Sequence, residues 1–130
     1  MEAAVHEAEA TTGLQFCVYL GPAEEDTRAH AEALLVDAGL HTRPAVLLLV
    51  APLVRKVELV TAPEARQRVD DATSELAVAT MTRQFARGHI AGGIVAAIDL
   101  MAAAAGPGTA PPGAEELPDV VDPPPGARGR

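Results

Sequence analysis

Residues 46–50 are five consecutive apolar residues, valine or leucine, with no polar position among them. A run of this length is too short for a helix, and its content of Val and Leu is typical of a strand that is buried on both faces. Such a strand needs a layer of structure over each face, because neither face can be left in water. The sequence therefore predicts an α/β fold built around a central strand at residues 46–50.

The residues after this strand predict a turn and a second strand. Pro52 cannot donate to a β ladder and suits a turn, and Arg55 and Lys56 keep the turn in water. Residues 57–61 then alternate with the period of two that is typical of a strand more exposed than its neighbour. We expect the two strands to form an antiparallel hairpin.

The residues before the central strand predict a βαβ unit. Residues 14–20 have one wholly apolar face and predict a strand. Asp26 is a candidate N-cap for a helix that continues to residue 38, and Gly39 is a candidate stop signal. A strand, a helix and a strand in this order favour a parallel pair with a right-handed crossover. The first strand should therefore lie parallel to residues 46–50.

Helices are predicted at both ends of this unit. Residues 2–12 are rich in helix formers, residues 64–69 predict a short helix, and Asp70 or Asp71 can cap a longer one. Apolar side chains recur with a helical period through residues 90–105. The predicted fold class is α/β, with a small mixed β-sheet, made of the βαβ unit and the hairpin, sandwiched by helices.

Composition divides the chain into two parts. A length of 130 residues with 48% hydrophobic residues is enough for a single domain with its own core, which we place at residues 1–105. From residue 106 onward the sequence becomes rich in proline, glycine and carboxylates. We expect residues 106–130 to be a disordered acidic tail, because such a segment has few apolar side chains to bury.

Charge and hydropathy limit the partners. The net charge of −8, with the acidic residues scattered along the chain, argues against nucleic acid or an anionic lipid surface as the main partner. No stretch reaches the roughly 20 apolar residues that a membrane helix needs, so we expect no direct membrane insertion. As written, the sequence predicts a soluble, cytoplasmic protein with an unknown protein partner, and envelope association would then require that partner. Cys17 lies between Phe16 and Val18, which favours a small buried hydrophobe over a reactive thiol.

Six short motifs follow one another along the chain. They are LQFCVYLG at 14–21, D-x-R-x-x-A-E at 26–32, VLLLV at 46–50, R-K-V-E-L-V-T at 55–61, A-R-x-R-x-D-D at 65–71 and M-x-x-x-F-x-x-G-x-x-x-G-G-I at 81–94. In this order they resemble a TPM-type domain, and most closely a small actinobacterial family of uncharacterised TPM-like proteins. The resemblance covers residues 1–105.

The resemblance implies an α/β sandwich but does not specify one activity. TPM domains include plant thylakoid proteins with acid phosphatase activity and a role in photosystem repair, and bacterial envelope proteins. Two positions depart from the usual pattern: His89 follows Gly88 where such sequences have Asp, and Ala62 follows Thr61 where they have Gly. The first departure replaces a carboxylate that a TPM-like cation site would use.

A small set of carboxylates is the candidate metal site. Asp26, Asp70 and Asp71, with Glu75 nearby in sequence, could supply the several oxygens that Ca²⁺ or Mg²⁺ requires. The competing interpretation is helix capping, since Asp70 and Asp71 are adjacent and point in different directions on a helix. The imidazole of His89 is a poor ligand for these ions. The four histidines have no ligand-like spacing, and exposed, solvated side chains are the simpler interpretation.

Two functional hypotheses follow. The first is a non-catalytic interaction module linked to the cell envelope or to protein quality control, because the sequence assembles no nucleophile, base and electrophile together. The alternative is a weak metal-dependent acid phosphatase that hydrolyses phosphomonoesters. The only cofactor that the sequence suggests is a weakly bound Ca²⁺ or Mg²⁺ ion.

Overall fold

The computed structural model describes residues 1–108 and the two-residue strand Val120–Val121. Its elements in chain order are α1 (Glu2–Thr12), β1 (Gln15–Leu20), α2 (Thr27–Asp37), β2 (Ala45–Ala51), β3 (Lys56–Thr61), α3 (Asp71–Ala86), α4 (Ile90–Ala105) and β4 (Val120–Val121). They form a mixed α/β sandwich, which confirms the predicted fold class.

The sheet has the order β3-β2-β1-β4, so β2 is an interior strand. β1 runs parallel to β2 with Val18 opposite Leu48, and β3 runs antiparallel to β2 with Leu59 opposite the same residue. Every residue of β2 is buried, as the continuous apolar run predicts. The βαβ unit and the hairpin are both confirmed.

Each face of the sheet has its own hydrophobic core. On one face, side chains of β1 and β2 such as Phe16 and Leu48 pack with α1, α3 and α4. On the other face, Leu47 and Leu49 pack with Leu35 of α2. The four helices of the described residues are therefore divided three to one across the sheet, because the helix of the βαβ crossover covers one face and the other three cover the opposite face.

Two aspartates begin helices as predicted. The carboxylate of Asp26 accepts a hydrogen bond of 3.0 Å from the Ala29 N–H at the start of α2. The carboxylate of Asp70 accepts one of 2.8 Å from the Thr73 N–H at the start of α3. Each satisfies a backbone donor that the first turn of a helix leaves unpaired.

The short helix predicted at residues 64–69 is wrong. This segment forms successive turns, with the N–H of Ala65 donating to the Ala62 carbonyl and that of Arg68 donating to the Ala65 carbonyl. The C-terminal end of the segment has other partners: Val69 is buried in the core, and the Arg68 guanidinium binds carbonyl groups elsewhere. Tertiary contacts outweigh a weak local helix preference here.

The hairpin strand β3 is more buried than its alternation predicts. Its first half is exposed or half-buried, whereas Leu59, Val60 and Thr61 are all buried. α2 and α3 both contact β3. Leu59 belongs to the core that includes residues of α3, and Val60 belongs to the core that includes residues of α2, on the other face of the sheet. The prediction of a more exposed strand therefore holds only for the half near the turn.

The C-terminal segment differs from the expected start of a tail at residue 106. The Arg68 guanidinium donates to the Gly106 carbonyl at 2.7 Å, and the Gly108 N–H donates to the Thr11 carbonyl at 2.9 Å. Val120–Val121 adds a fourth strand that no sequence pattern predicted. The prediction of disorder for residues 109–119 and 122–130 lies outside the described residues.

α3 and α4 pack closely where α4 has a glycine. A methyl group at Gly93 would lie 2.8 Å from Cε1 of Phe85 and 3.0 Å from Cβ of Gln84, both on α3. At the neighbouring Gly92 the nearest atom would be Cβ of His89 at 3.7 Å, an ordinary contact. Close helix packing therefore explains Gly93, and Gly92 has no such constraint.

We expect Gly93→Ala to destabilise the protein by about 1–3 kcal/mol, because the methyl group forces the Phe85 ring to move. The matched control is Gly92→Ala, which should stabilise it by about 0.5–1 kcal/mol through the higher helix propensity of alanine. Urea denaturation of both variants measures the difference. Equal midpoints for the two variants would contradict the close contact.

We expect Leu48→Ala to destabilise the protein by about 2–5 kcal/mol, because the change leaves a cavity in a strand covered on both faces. Leu53→Ala is the matched control: Leu53 is fully exposed at 100%, and its truncation should change stability by less than about 0.5 kcal/mol. Denaturant midpoints of the two variants report the contrast. Similar midpoints would show that β2 is not the centre of the fold.

Candidate functional site

The predicted metal ligands are placed at separate helix starts. The Asp26 carboxylate caps α2 and the Asp70 carboxylate caps α3, so each already accepts a backbone hydrogen bond. The hydrogen bond from the Thr73 backbone N–H, with a second contribution from its side chain, lowers the pKa of Asp70 below its usual value. Asp70 is thereby held in the charged form that caps the helix best.

Asp71, the third predicted ligand, lines a groove on the free side of β3. We name it the α2–β3–α3 groove after the elements that form it, and its volume is about 650 Å³. It is lined by Arg28, Val57, Glu58, Leu59, Thr61, Arg66, Asp71, Ser74, Glu75, Val78 and Ala79. The groove thus brings Asp71 and Glu75 together with two arginines, whereas Asp26 and Asp70 do not line it.

An ordered network forms one side of this groove. Nη1 of Arg28 donates to the Leu59 carbonyl at 2.8 Å and lies 3.6 Å from Oε1 of Glu58. The Thr27 hydroxyl donates to Oε2 of Glu58 at 3.1 Å. These contacts fix α2 to β3 and partly neutralise Glu58. The other charged residues that line the groove are Arg66, Asp71 and Glu75.

His89 is exposed at the start of α4, and its ring does not cap that helix. Nδ1 of His89 lies 3.1 Å from Oε1 of Gln84, so a local hydrogen bond orients the ring. Within residues 1–108, no group of three or more His, Cys, Asp or Glu side chains is arranged to hold a metal ion.

The loop after β1 is held by aromatic and histidine contacts. The Tyr19 hydroxyl donates to the Pro22 carbonyl at 2.7 Å, and its ring meets the His30 ring edge-on with centroids 5.3 Å apart. Nδ1 of His30 accepts a hydrogen bond of 3.1 Å from the Glu24 N–H. Burial, with a smaller effect of the nearby Glu24 charge, raises the pKa of Tyr19. His30 therefore has a structural role, which corrects the expectation that it is simply solvated.

The β2–β3 turn presents apolar side chains to solvent. Residues 52–56, which we call the hairpin tip, start with a short 3-10 helix and then reach Arg55 in the left-handed conformation at φ 56°. The Arg55 N–H donates to the Pro52 carbonyl at 3.1 Å and closes this tight turn. Leu53 is 100% exposed and Val54 is 56% exposed as a result.

A pocket lies next to the hairpin tip. Its volume is about 380 Å³, and it opens between the tip and the helices α3 and α4. Its lining residues are Pro52, Arg55, Lys56, Val57, Thr82, Phe85, Ala86 and Ile90. Val57, Phe85 and Ile90 are partly buried and pack on the core, so the apolar part of the pocket is continuous with the protein interior. We call this the tip pocket.

Sequence reasoning placed the hairpin tip in water and did not identify it as a surface of interest. The available signal was the pair Leu53 and Val54 between a proline and two cations, since a turn of this kind usually carries polar residues. The tip pocket had no sequence signal, because α3 and α4 contribute to it from far along the chain.

A model of one protein family, "Domain of unknown function (DUF5130)", matches residues 1–102. The chain belongs to the DUF5130 family. The DUF5130 match runs from α1 through most of α4, so it includes the hairpin tip, the tip pocket and the α2–β3–α3 groove.

Relatives of this DUF5130 protein occur in Mycobacterium tuberculosis. The uncharacterized protein MT2543 of strain CDC 1551 / Oshkosh is 33% identical over 95 residues, which cover 73% of this chain and 56% of the relative. The uncharacterized protein Rv2468c of strain ATCC 25618 / H37Rv gives the same values. The matched region is thus little more than half the length of these relatives.

Solved structures share the fold of the DUF5130 domain at low sequence identity. The NMR structure of the BA42 protein from the psychrophilic bacterium Bizionia argentinensis has a TM-score of 0.70 and 18% identity, covering 81% of this chain and 77% of that one. The N-terminal domain of a protein from P. gingivalis has a TM-score of 0.69 and 17% identity, covering 80% and 70%. Both support the α/β architecture and carry no further argument.

Among the helices of the described part of the chain, none combines the length and the apolar character that a transmembrane span requires.

Proposed function

We propose that this DUF5130 protein is a TPM-like interaction module that binds a protein partner through the hairpin tip and the tip pocket, and that the partner links it to the cell envelope or to protein quality control. The order of the six sequence motifs and the α/β sandwich support the TPM-like assignment. The apolar side chains at the hairpin tip support the binding role.

The observation that carries the proposal is the full exposure of Leu53. A leucine at 100% exposure gains nothing from folding, yet it would gain roughly 1.5–3 kcal/mol if a partner buried it completely. Val54 is next to it at 56% exposure and enlarges the same apolar surface. An exposed aliphatic pair next to a partly apolar pocket offers a partner a contiguous apolar surface to bury.

The charges around the tip define the chemistry of the partner. Arg55 and Lys56 directly follow Leu53 and Val54 in sequence and also line the tip pocket, while the whole chain carries a net charge of −8. A local cationic patch on an acidic protein steers acidic segments toward this surface and repels them elsewhere. The partner we propose is a protein segment with an apolar anchor and neighbouring carboxylates.

A photo-cross-linking amino acid at position 53, introduced into the chain in its native host, should give a discrete adduct with a protein. The matched control is the same cross-linker at Val36, which is also exposed, at 52%, but lies on α2. The double variant Arg55→Glu/Lys56→Glu should abolish the adduct from position 53, because it reverses the local charge. Equal yields of the adduct from positions 53 and 36 would contradict the proposed binding surface.

A weak metal-dependent acid phosphatase is the second candidate, and one observation favours it. The α2–β3–α3 groove holds Arg28 and Arg66 near Asp71 and Glu75. Arginine forks match phosphate oxygens, and carboxylates are the ligands that Ca²⁺ and Mg²⁺ prefer. In this hypothesis the groove holds a phosphomonoester with its cation. Asp26, Asp70 and His89 do not line the groove and are not ligands of this cation.

We expect Ca²⁺ to bind only in the millimolar range, because sites with few anionic ligands are weak and the Asp26 and Asp70 carboxylates already cap helices. Calorimetric titration measures the affinity, and a generic phosphomonoester assay with added Ca²⁺ or Mg²⁺ measures turnover. A dissociation constant below about 10 μM, with saturable turnover lost in Asp71→Asn but retained in the exposed control Asp37→Asn, would instead support the phosphatase.

A further inference from the structure

The outer edge of β1 is the side that faces away from β2. The Gln15 N–H donates to the Pro44 carbonyl and the Gly21 N–H donates to the Val50 carbonyl, so odd-numbered residues direct their backbone groups toward β2. Backbone groups alternate in direction along a strand. Phe16, Val18 and Leu20 therefore direct theirs to the outer edge.

A charged side chain occupies the first position of this edge. Oε2 of Glu9, on α1, accepts hydrogen bonds of 3.0 Å from the Phe16 N–H and 3.3 Å from Nε2 of Gln15. A carboxylate in this place supplies the acceptor that a neighbouring strand would supply, and it excludes such a strand from the start of β1. The edge is left available for strand pairing only beyond Phe16.

The rest of the edge is where β4 pairs. Val120 lies opposite Val18 and Val121 lies opposite Tyr19, in a parallel arrangement. The ladder covers two residues of a six-residue strand, so it is short compared with the β1–β2 ladder. Its position matches the part of the edge that Glu9 leaves available.

Residues 106–108, where the C-terminal segment starts, are held near the beginning of β1. The Arg68 guanidinium donates to the Thr12 carbonyl at 2.6 Å and to the Gly106 carbonyl at 2.7 Å, and Gly108 donates to Thr11. Residues 109–119 follow, and a chain of this length reaches up to about 40 Å when extended. The edge of β1 is only about 20 Å long, so this connection is longer than the pairing needs.

We propose that the outer edge of β1 at residues 18–20 is a strand-addition site, and that Val120–Val121 of the same chain is its resident occupant. The segment pairs through backbone hydrogen bonds and shields the edge from extended segments of other proteins. A tether of this kind keeps the occupant at an effective concentration of about a millimolar, yet the two-residue ladder is short enough to be displaced. The site lies on the edge opposite β3 and is independent of the hairpin tip.

The test uses the full chain and a double variant that removes the backbone N–H groups of β4, of which only that of Val121 is directed toward β1. Val120→Pro/Val121→Pro deletes both N–H groups of β4, because proline has none. The matched control is Val120→Thr/Val121→Thr, which keeps both donors and a high strand propensity. The probe is a synthetic peptide with the sequence of residues 115–125, added to each ¹⁵N-labelled protein and followed by NMR.

We expect the Val18 and Leu20 amides to exchange with solvent more slowly in the wild-type chain and the threonine variant than in the proline variant. The peptide should shift these two amides and bind the proline variant about tenfold more tightly than the wild type, because the resident segment no longer competes. An unchanged Leu48 amide signal verifies that the fold is intact.

Two results would overturn the proposal. Equal exchange rates and equal peptide affinity in the wild type and the proline variant would show that Val120–Val121 does not occupy the edge. Protection of Val18 that rises with protein concentration would assign the pairing to a second copy of the chain, and the intramolecular arrangement would then be wrong.

Discussion

The burial of β2 on both faces is the constraint from which the rest of the architecture follows. All seven of its residues are buried, so water can satisfy none of its backbone groups and each must be paired with a neighbouring strand. β1 supplies the parallel neighbour and β3 the antiparallel one. The two apolar faces of β2 in turn require helices on both sides, which explains why a domain of this size has a sandwich and two separate cores.

A sheet of this size has edges to protect, and the chain uses charged side chains at both of them. Glu9 accepts the Phe16 N–H at the β1 edge, and Arg28 donates to the Leu59 carbonyl at the β3 edge. The two residues act alike: each places a charge where an incoming strand would otherwise form a ladder. The hairpin tip also carries charged residues, Arg55 and Lys56, yet its Leu53 is the most exposed large apolar side chain among the described residues.

The sequence predicts those features that depend on local pattern. The apolar run at residues 46–50, the caps Asp26 and Asp70, and the helical period of α4 each specify an element without reference to the rest of the chain. Features that depend on contacts between residues far apart in the sequence could not be predicted from it. The turns at residues 64–69 depend on what Arg68 binds, the burial of Thr61 depends on helices that cover β3, and the pairing of Val120 depends on an edge formed a hundred residues earlier.

The same limit applies to the candidate site. Carboxylates could be selected by residue type, but only the structure separates Asp71, which lines the groove with Glu75, from Asp26 and Asp70, which cap helices.

The Arg68 guanidinium has a consequence for how the molecule folds. Its carbonyl partners at Thr12 and Gly106 lie 56 and 38 residues away along the chain, at the C-terminal ends of α1 and α4. Closing loops of this size costs conformational entropy before any contact stabilises them, so we expect these bonds to form late in folding, after both helices are in place.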